Sequence, residues 1–283
     1  MSVFTLDQGM LEYGVNRTYS DIFCFSTTRH GGCGTGTYAS FNCTHYCGDD
    51  PEHVRLNRER LLRLLPSGDT CRLIVPHQTH GDTVRRIDEA FLRLSEEEQA
   101  AALEGVDALM GHVPGTCLCV STADCIPVLC YDPRLRVAAV IHAGWRGTVA
   151  GIVRKTVRQL QAVYGSRGED LVACIGPGIS LAAFEVGDEV YEAFRSAGFP
   201  MERIARRTGK WHLDLWEANR LQLIGEGVPA GRIETAGICT YRQSGDFFSA
   251  RRLGIRSGRI LTGILLKPVP LPPAHTPITH PNR

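Results

Sequence analysis

The run over residues 116–141 constrains the fold more than any other part of the chain. It is dense in β-branched and apolar residues and is broken only by Thr122-Ala123-Asp124-Cys125 and by Asp132-Pro133-Arg134. Short apolar stretches bounded by turn residues predict strand, turn, strand. A hairpin between residues 126–131 and 137–141 pairs positions whose numbers share a sum of about 268. Cys125 and His142 come within one of that sum, so simple antiparallel geometry sets their side chains nearly opposite each other at the open end of the hairpin.

After His142 the chain reads Ala143-Gly144-Trp145-Arg146-Gly147, and then residues 148–164 carry apolar side chains at Val149, Ile152, Val153, Val157, Leu160 and Tyr164. That spacing predicts an amphipathic helix closed by Gly165. Arg146, flanked by glycines at a helix start where free N–H groups favour negative charge, is a candidate oxyanion or phosphate contact. A tight turn with a solvated arginine fits the same pattern.

Elsewhere, residues 23–28 predict a strand running into the glycine-rich loop Arg29-His30-Gly31-Gly32-Cys33-Gly34-Thr35-Gly36. Residues 51–65 show helical spacing, Leu73-Ile74-Val75 a short strand, and residues 89–104 a charged, exposed helix. A strand over 171–175, helices over 188–196 and 214–224, and closing strands over 235–241 and 247–249 follow. No repeat or linker divides the chain. The mixture of hairpins and helices predicts one α/β domain with mixed sheets, spanning residues 1–266, rather than a parallel dinucleotide-binding sheet. The proline-rich stretch 267–283 predicts a disordered tail.

Composition narrows the function classes. With 283 residues, net charge +1, 43% hydrophobic and 22% charged residues, the chain falls in the range of ordinary globular proteins. It has neither a run of about 18 apolar residues nor an export signal, which predicts a cytoplasmic protein without a membrane partner. Near-neutral charge argues against nucleic acid as the main ligand. The eleven cysteines are odd in number, which predicts reduced thiols, with Cys117, Cys119, Cys130 and Cys174 as small core residues.

Catalytic zinc typically has three protein ligands and one open position, and two histidines with one cysteine are an accepted set. His80, Cys125 and His142 each lie where a strand meets a polar, glycine-containing turn. No compact zinc spacing joins them. Cys43, His45 and Cys47 form a rival cluster, and His77 is a second rival.

Several motifs, in order from about Phe23 to Leu266, resemble the YfiH or laccase-domain family. They are Ser26-Thr27-Thr28-Arg29-His30-Gly31-Gly32, Gly48-Asp49-Asp50 with Asn57, Gln78-Thr79-His80-Gly81, Ala123-Asp124-Cys125-Ile126-Pro127, His142-Ala143-Gly144-Trp145-Arg146-Gly147, Ile175-Gly176-Pro177, Asp214-Leu215 with Asn219, and Phe247-Phe248-Ser249-Ala250-Arg251-Arg252. The resemblance implies a layered α/β/β/α fold and one metal held by His80, Cys125 and His142. It implies a zinc-dependent purine nucleoside phosphorylase acting on adenosine, inosine and guanosine, with adenosine deaminase and methylthioadenosine phosphorylase activities attached. Nucleoside and phosphate are then the partners, and the oligomeric state stays open. Arg29, Arg146 and Arg251 become candidate phosphate contacts, His30 and Asn42 candidate ribose contacts, and Asp124 a catalytic residue that orients a ligand or moves a proton.

Two motif positions depart from the family pattern: Thr28 is an extra threonine before Arg29, and Ala250 replaces an aromatic, which counts against purine stacking there. The family's older name is polyphenol oxidase or multicopper laccase. None of the ten histidines forms the His-x-His pair that a multicopper site uses, although a single centre of two histidines and one cysteine can take copper, which keeps a copper-dependent polyphenol oxidase as one alternative. A cysteine hydrolase or deamidase, with Cys125 as nucleophile and His142 as base, is the competing enzyme class.

Overall fold

The computed structural model describes residues 5–7, 9–66 and 68–268. Two six-stranded mixed sheets stack face to face. In the first, the strand order is Thr5–Asp7, Met10–Glu12, Ile22–Thr27, Ile260–Leu266, Thr116–Thr122 and Arg72–Ile74; in the second it is Ile233–Thr235, Val172–Ile175, Ile126–Asp132, Val137–Ala143, Ala108–Gly111 and Val84–Ile87. A three-stranded sheet, ordered Glu185–Val186, Lys210–Leu213 and Ala205–Thr208, stands beside them.

Side-chain alternation along the strands builds the layers, because successive residues point to opposite faces. Ile22, Cys24, Leu118, Val120 and Ile264 meet Leu129, Tyr131 and Val140 between the sheets. Phe23, Phe25, Cys117, Cys119 and Leu265 instead pack outward with Leu61 and Leu65 at the end of the helix Pro51–Leu64. On the far side, Val128, Cys130, Ala139 and Ile141 pack under Val153, Val157 and Leu160 of the helix Ile152–Tyr164 and under Ala218 and Leu223 of the helix Leu215–Gly225. The order is α/β/β/α. No helix among the described residues is long and apolar enough to cross a membrane.

Several elements differ from the sequence expectations. The central strand Ile260–Leu266 was not foreseen: it is buried on both faces, so it has no polar alternation to read. Of residues 235–241 only Thr235 is in a strand, and Phe247 and Phe248 pack with Ile260 ahead of the short helix Ala250–Leu253. The exposed segment 89–104 is two helices, Glu89–Leu92 and Glu96–Ala102, the second started by a capping box of Ser95 and Glu98. Left-handed Gly151 separates Trp145–Val149 from Ile152–Tyr164. The tail from residue 269 lies outside the described residues.

The hairpin register is shifted by one position. His142 pairs with Pro127 and Asp132 with Val137, closing a four-residue loop. In that loop Asp132 Oδ1 accepts the N–H groups of Arg134 and Leu135, and Arg136 is left-handed. The shift puts Cys125, just before the strand, diagonal to His142 on the same face. The strand before Cys125 belongs to the other sheet, so residues 123–125 carry the chain across the sandwich. Asp124, at φ 85°, makes the bend.

Candidate metal centre

His80, Cys125 and His142 converge where that crossing meets the ends of the two sheets. One imidazole nitrogen from each histidine and Cys125 Sγ lie within 4.8 Å of one another, about the span of one ion with bonds of about 2.0–2.3 Å. The imidazoles of His80 and His142 meet edge to face, with centroids 4.9 Å apart. Among the described residues this is the one such group of three donors.

A fourth residue, not anticipated from the sequence, sets the geometry. Asp107 is fully buried and lies just before the strand Ala108–Gly111. Its Oδ1 is 2.7 Å from His142 Nδ1. The same carboxylate accepts the N–H groups of Thr79 at 3.3 Å, His80 at 3.0 Å and Gly81 at 2.8 Å. These bonds hold the tight turn in which His80 has φ 64°. A carboxylate on Nδ1–H leaves the Nε2 lone pair of His142 free for a metal. Burial alone would raise the Asp107 pKa, yet the bonds from His142 and from the Gly81 and Thr79 amides hold it below the usual range.

The thiol itself is unusual for this chain. Burial pushes Cys43 and Cys130 up to about 12. It acts on Cys125 too, but the neighbouring His142 and the hydrogen bonds from both histidines outweigh it and bring Cys125 down to about 6. Burial likewise opposes the charge on His142, and Cys125 with Asp107 raises it to about 9.

Space around the donors is tight. A Cβ on Gly144 would stand 3.0 Å from Cys125 Sγ and 3.2 Å from His80 Cδ2. The chemistry of the donors and their mutual reach fit a single small metal ion.

The other anticipated residues are placed as follows. Arg146 is exposed, its guanidinium 4.4 Å over the Trp145 ring, with no carboxylate partner among the described residues. Both oxygens of Asp124 are engaged, Oδ1 by Thr240 at 2.7 Å and Oδ2 by the N–H of Arg251 at 2.7 Å. Arg251 also donates to the Glu185 carbonyl. Arg29 donates to the carbonyls of Ala39 and Ser244, and His30 faces Asp246 at 2.9 Å. Asn42 is fully buried, its amide bonded to Thr44, Asp49 and Arg259, which puts it inside the loop rather than on a ligand surface. The rival thiols Cys43 and Cys47 are buried, and His77 pairs with Glu104. A cleft of about 450 Å³ lined by Arg17, Tyr19, Cys174, Arg232 and Glu234 lies elsewhere and contains none of the three donors.

Two stacked mixed sheets with a candidate mononuclear centre at their shared end define the class. The family described as multi-copper polyphenol oxidoreductase laccase matches residues 23–267. A purine nucleoside phosphorylase of Bacteroides thetaiotaomicron is 54% identical over 269 residues, 94% of this chain and 99% of that protein. The adenosine deaminase RL5, from an unknown prokaryotic organism, is 43% identical over 254 residues, 89% and 96% of the two chains. The crystal structure of YlmD from Geobacillus stearothermophilus superposes with a TM-score of 0.87 at 32% identity, covering 95% of this chain and 100% of that one. The chain belongs to this YfiH/YlmD laccase-domain family.

Proposed function

We propose that this chain is a zinc-dependent purine nucleoside phosphorylase. It cleaves adenosine, inosine or guanosine with phosphate to the free base and ribose 1-phosphate, with adenosine deaminase and methylthioadenosine phosphorylase as side activities. The observation that carries the reading is the convergence of His80, Cys125 and His142 on one point under the buried carboxylate of Asp107. The substrate class follows from relatives named for purine nucleoside chemistry.

His80, Cys125 and His142 would hold the zinc, which when bound would supply Lewis-acid chemistry, polarising a phosphate oxygen or lowering the pKa of a water to about 7. In phosphorolysis an oxygen of hydrogen phosphate bonds to C1′ as the glycosidic bond breaks, and the electron pair leaves with the base, which takes up the proton that the hydrogen phosphate gives up. Arg146, without a carboxylate partner among the described residues, and Arg251, fixed through its N–H by Asp124, bind the anionic phosphate and orient it toward C1′. His30, exposed beside Asp246, contacts the ribose in this reading. Arg29 and Asn42 shape the loop through their backbone contacts, and Asp124 positions Arg251.

The test is product analysis by chromatography with adenosine and inosine, with and without phosphate, on metal-quantified protein beside Cys125→Ala. Phosphate-dependent release of adenine or hypoxanthine, with about one zinc per chain that Cys125→Ala loses, supports the reading. Nucleosides that stay intact over zinc-replete protein overturn it.

A further inference from the structure

The loop over residues 43–47 meets the segment before His80 at an aromatic pair that the metal cluster does not use. Tyr46 is 37% exposed, the most open phenylalanine, tyrosine or tryptophan among the described residues. Its ring centroid lies 4.5 Å from that of His77, the planes tilted by 41°. The Tyr46 hydroxyl donates to Gln78 Oε1 at 3.2 Å. That oxygen also accepts the Ser121 N–H at 2.7 Å, and Gln78 Nε2 donates to the Ser121 carbonyl at 2.8 Å. Thr44 ties the same loop to Ser121 through a 2.7 Å contact between hydroxyls. Gln78 directly precedes Thr79 and His80, and Ser121 precedes the crossing that delivers Cys125. The ring is thus braced against two of the three segments that supply the centre, those of His80 and Cys125.

His77 is fixed from behind. Its Nδ1 lies 2.8 Å from the Glu104 carboxylate, its N–H donates to the Leu103 carbonyl and its carbonyl accepts the Gly105 N–H. With the hydroxyl engaged and the imidazole behind it held, Tyr46 offers a ligand a ring face and little else. A rigid π-face suits a flat heteroaromatic ring, because ring stacking needs no matched donors or acceptors. Phosphate and ribose gain little from such a surface.

We propose that Tyr46, backed by His77, is the surface on which the purine base of the nucleoside stacks. The inference rests on the functional reading above and adds the base-binding residue to it. Steady-state kinetics with inosine and phosphate test it in Tyr46→Leu and Tyr46→Phe, with zinc content measured in each. Tyr46→Leu is expected to raise the KM for inosine about tenfold, within the range that loss of one base stack produces. The KM for phosphate and the zinc content stay as in the wild type. Tyr46→Phe, which keeps the ring and drops the hydroxyl, recovers most of the lost inosine affinity. An unchanged inosine KM in Tyr46→Leu overturns the inference, as does a phenylalanine variant as impaired as the leucine one, which would make the hydroxyl brace the important feature. A parallel loss of zinc also counts against it, because it marks a structural defect. If the wild-type protein, fully loaded with zinc, neither binds nor cleaves inosine, the functional reading itself fails and the inference falls with it.

Discussion

Asp107 reaches His142 by a 2.7 Å hydrogen bond and, through the N–H of His80, holds the other histidine of the cluster as well. One carboxylate therefore sets the tautomer of one donor and the backbone turn of another. Asp107→Asn removes the charge and offers an amide where His142 Nδ1–H needs an acceptor. Zinc affinity is expected to fall about 10- to 100-fold, measured by chelator competition. An affinity equal to the wild type would reduce Asp107 to a backbone brace.

Gly144 is a steric requirement of the centre rather than a conformational one. Its backbone, at φ −69° and ψ 170°, is open to any residue, but an added Cβ would crowd Cys125 and His80. Gly144→Ala should lower kcat/KM by about tenfold to a hundredfold, as displaced reacting groups do, with a thermal midpoint close to the wild type. A variant that keeps full activity would show that the cluster relaxes around the methyl group.

Zinc binding should release protons in a defined number. Without metal, the Cys125–His142 pair titrates at about 6 and about 9, so at pH 7 it retains one proton, whichever partner carries it. Coordination needs both lone pairs, and that proton must leave. Calorimetry at pH 7 in buffers of different ionisation enthalpy should show about one proton released per zinc from this pair. Affinity then rises with pH between those two values and levels off above the upper one. A binding constant indifferent to pH across that window would contradict the pairing.

The thiol also separates a metal enzyme from a cysteine hydrolase. In the zinc form Cys125 is coordinated and should resist iodoacetamide, while chelation should expose a thiol that is largely thiolate at pH 7 and reacts quickly. Mass spectrometry of the labelled peptide reads the difference. Rapid labelling of zinc-replete protein, together with activity that survives chelation, would favour the hydrolase.

Much of this site was legible in the sequence, for identifiable reasons. Cys125 and His142 flank a hairpin whose pairing follows from its turn, so local arithmetic brings them together; the register error came from the four-residue loop that Asp132 closes. The helix Pro51–Leu64 announces itself through the Asp50 cap and Pro51. Asp107 was invisible because three of its partners are backbone amides, which leave no motif. The strand Ile260–Leu266 escaped because burial on both faces removes the period that marks a strand. His80 joins the trio only through tertiary packing, and spacing alone gave no compact zinc motif.

The crossing at residues 123–125 has a mechanical side. Thr116–Thr122 lies in one sheet and Ile126–Asp132 in the other, with Cys125 at the joint, His142 at the end of a strand of the second sheet and His80 beyond the edge strand of the first. An ion gripped by these three residues would rivet the mouth of the sandwich shut. Chelation should therefore let the two sheets part at a lower temperature even where no substrate is present, and the strength of that rivet can be read from the thermal midpoint alone.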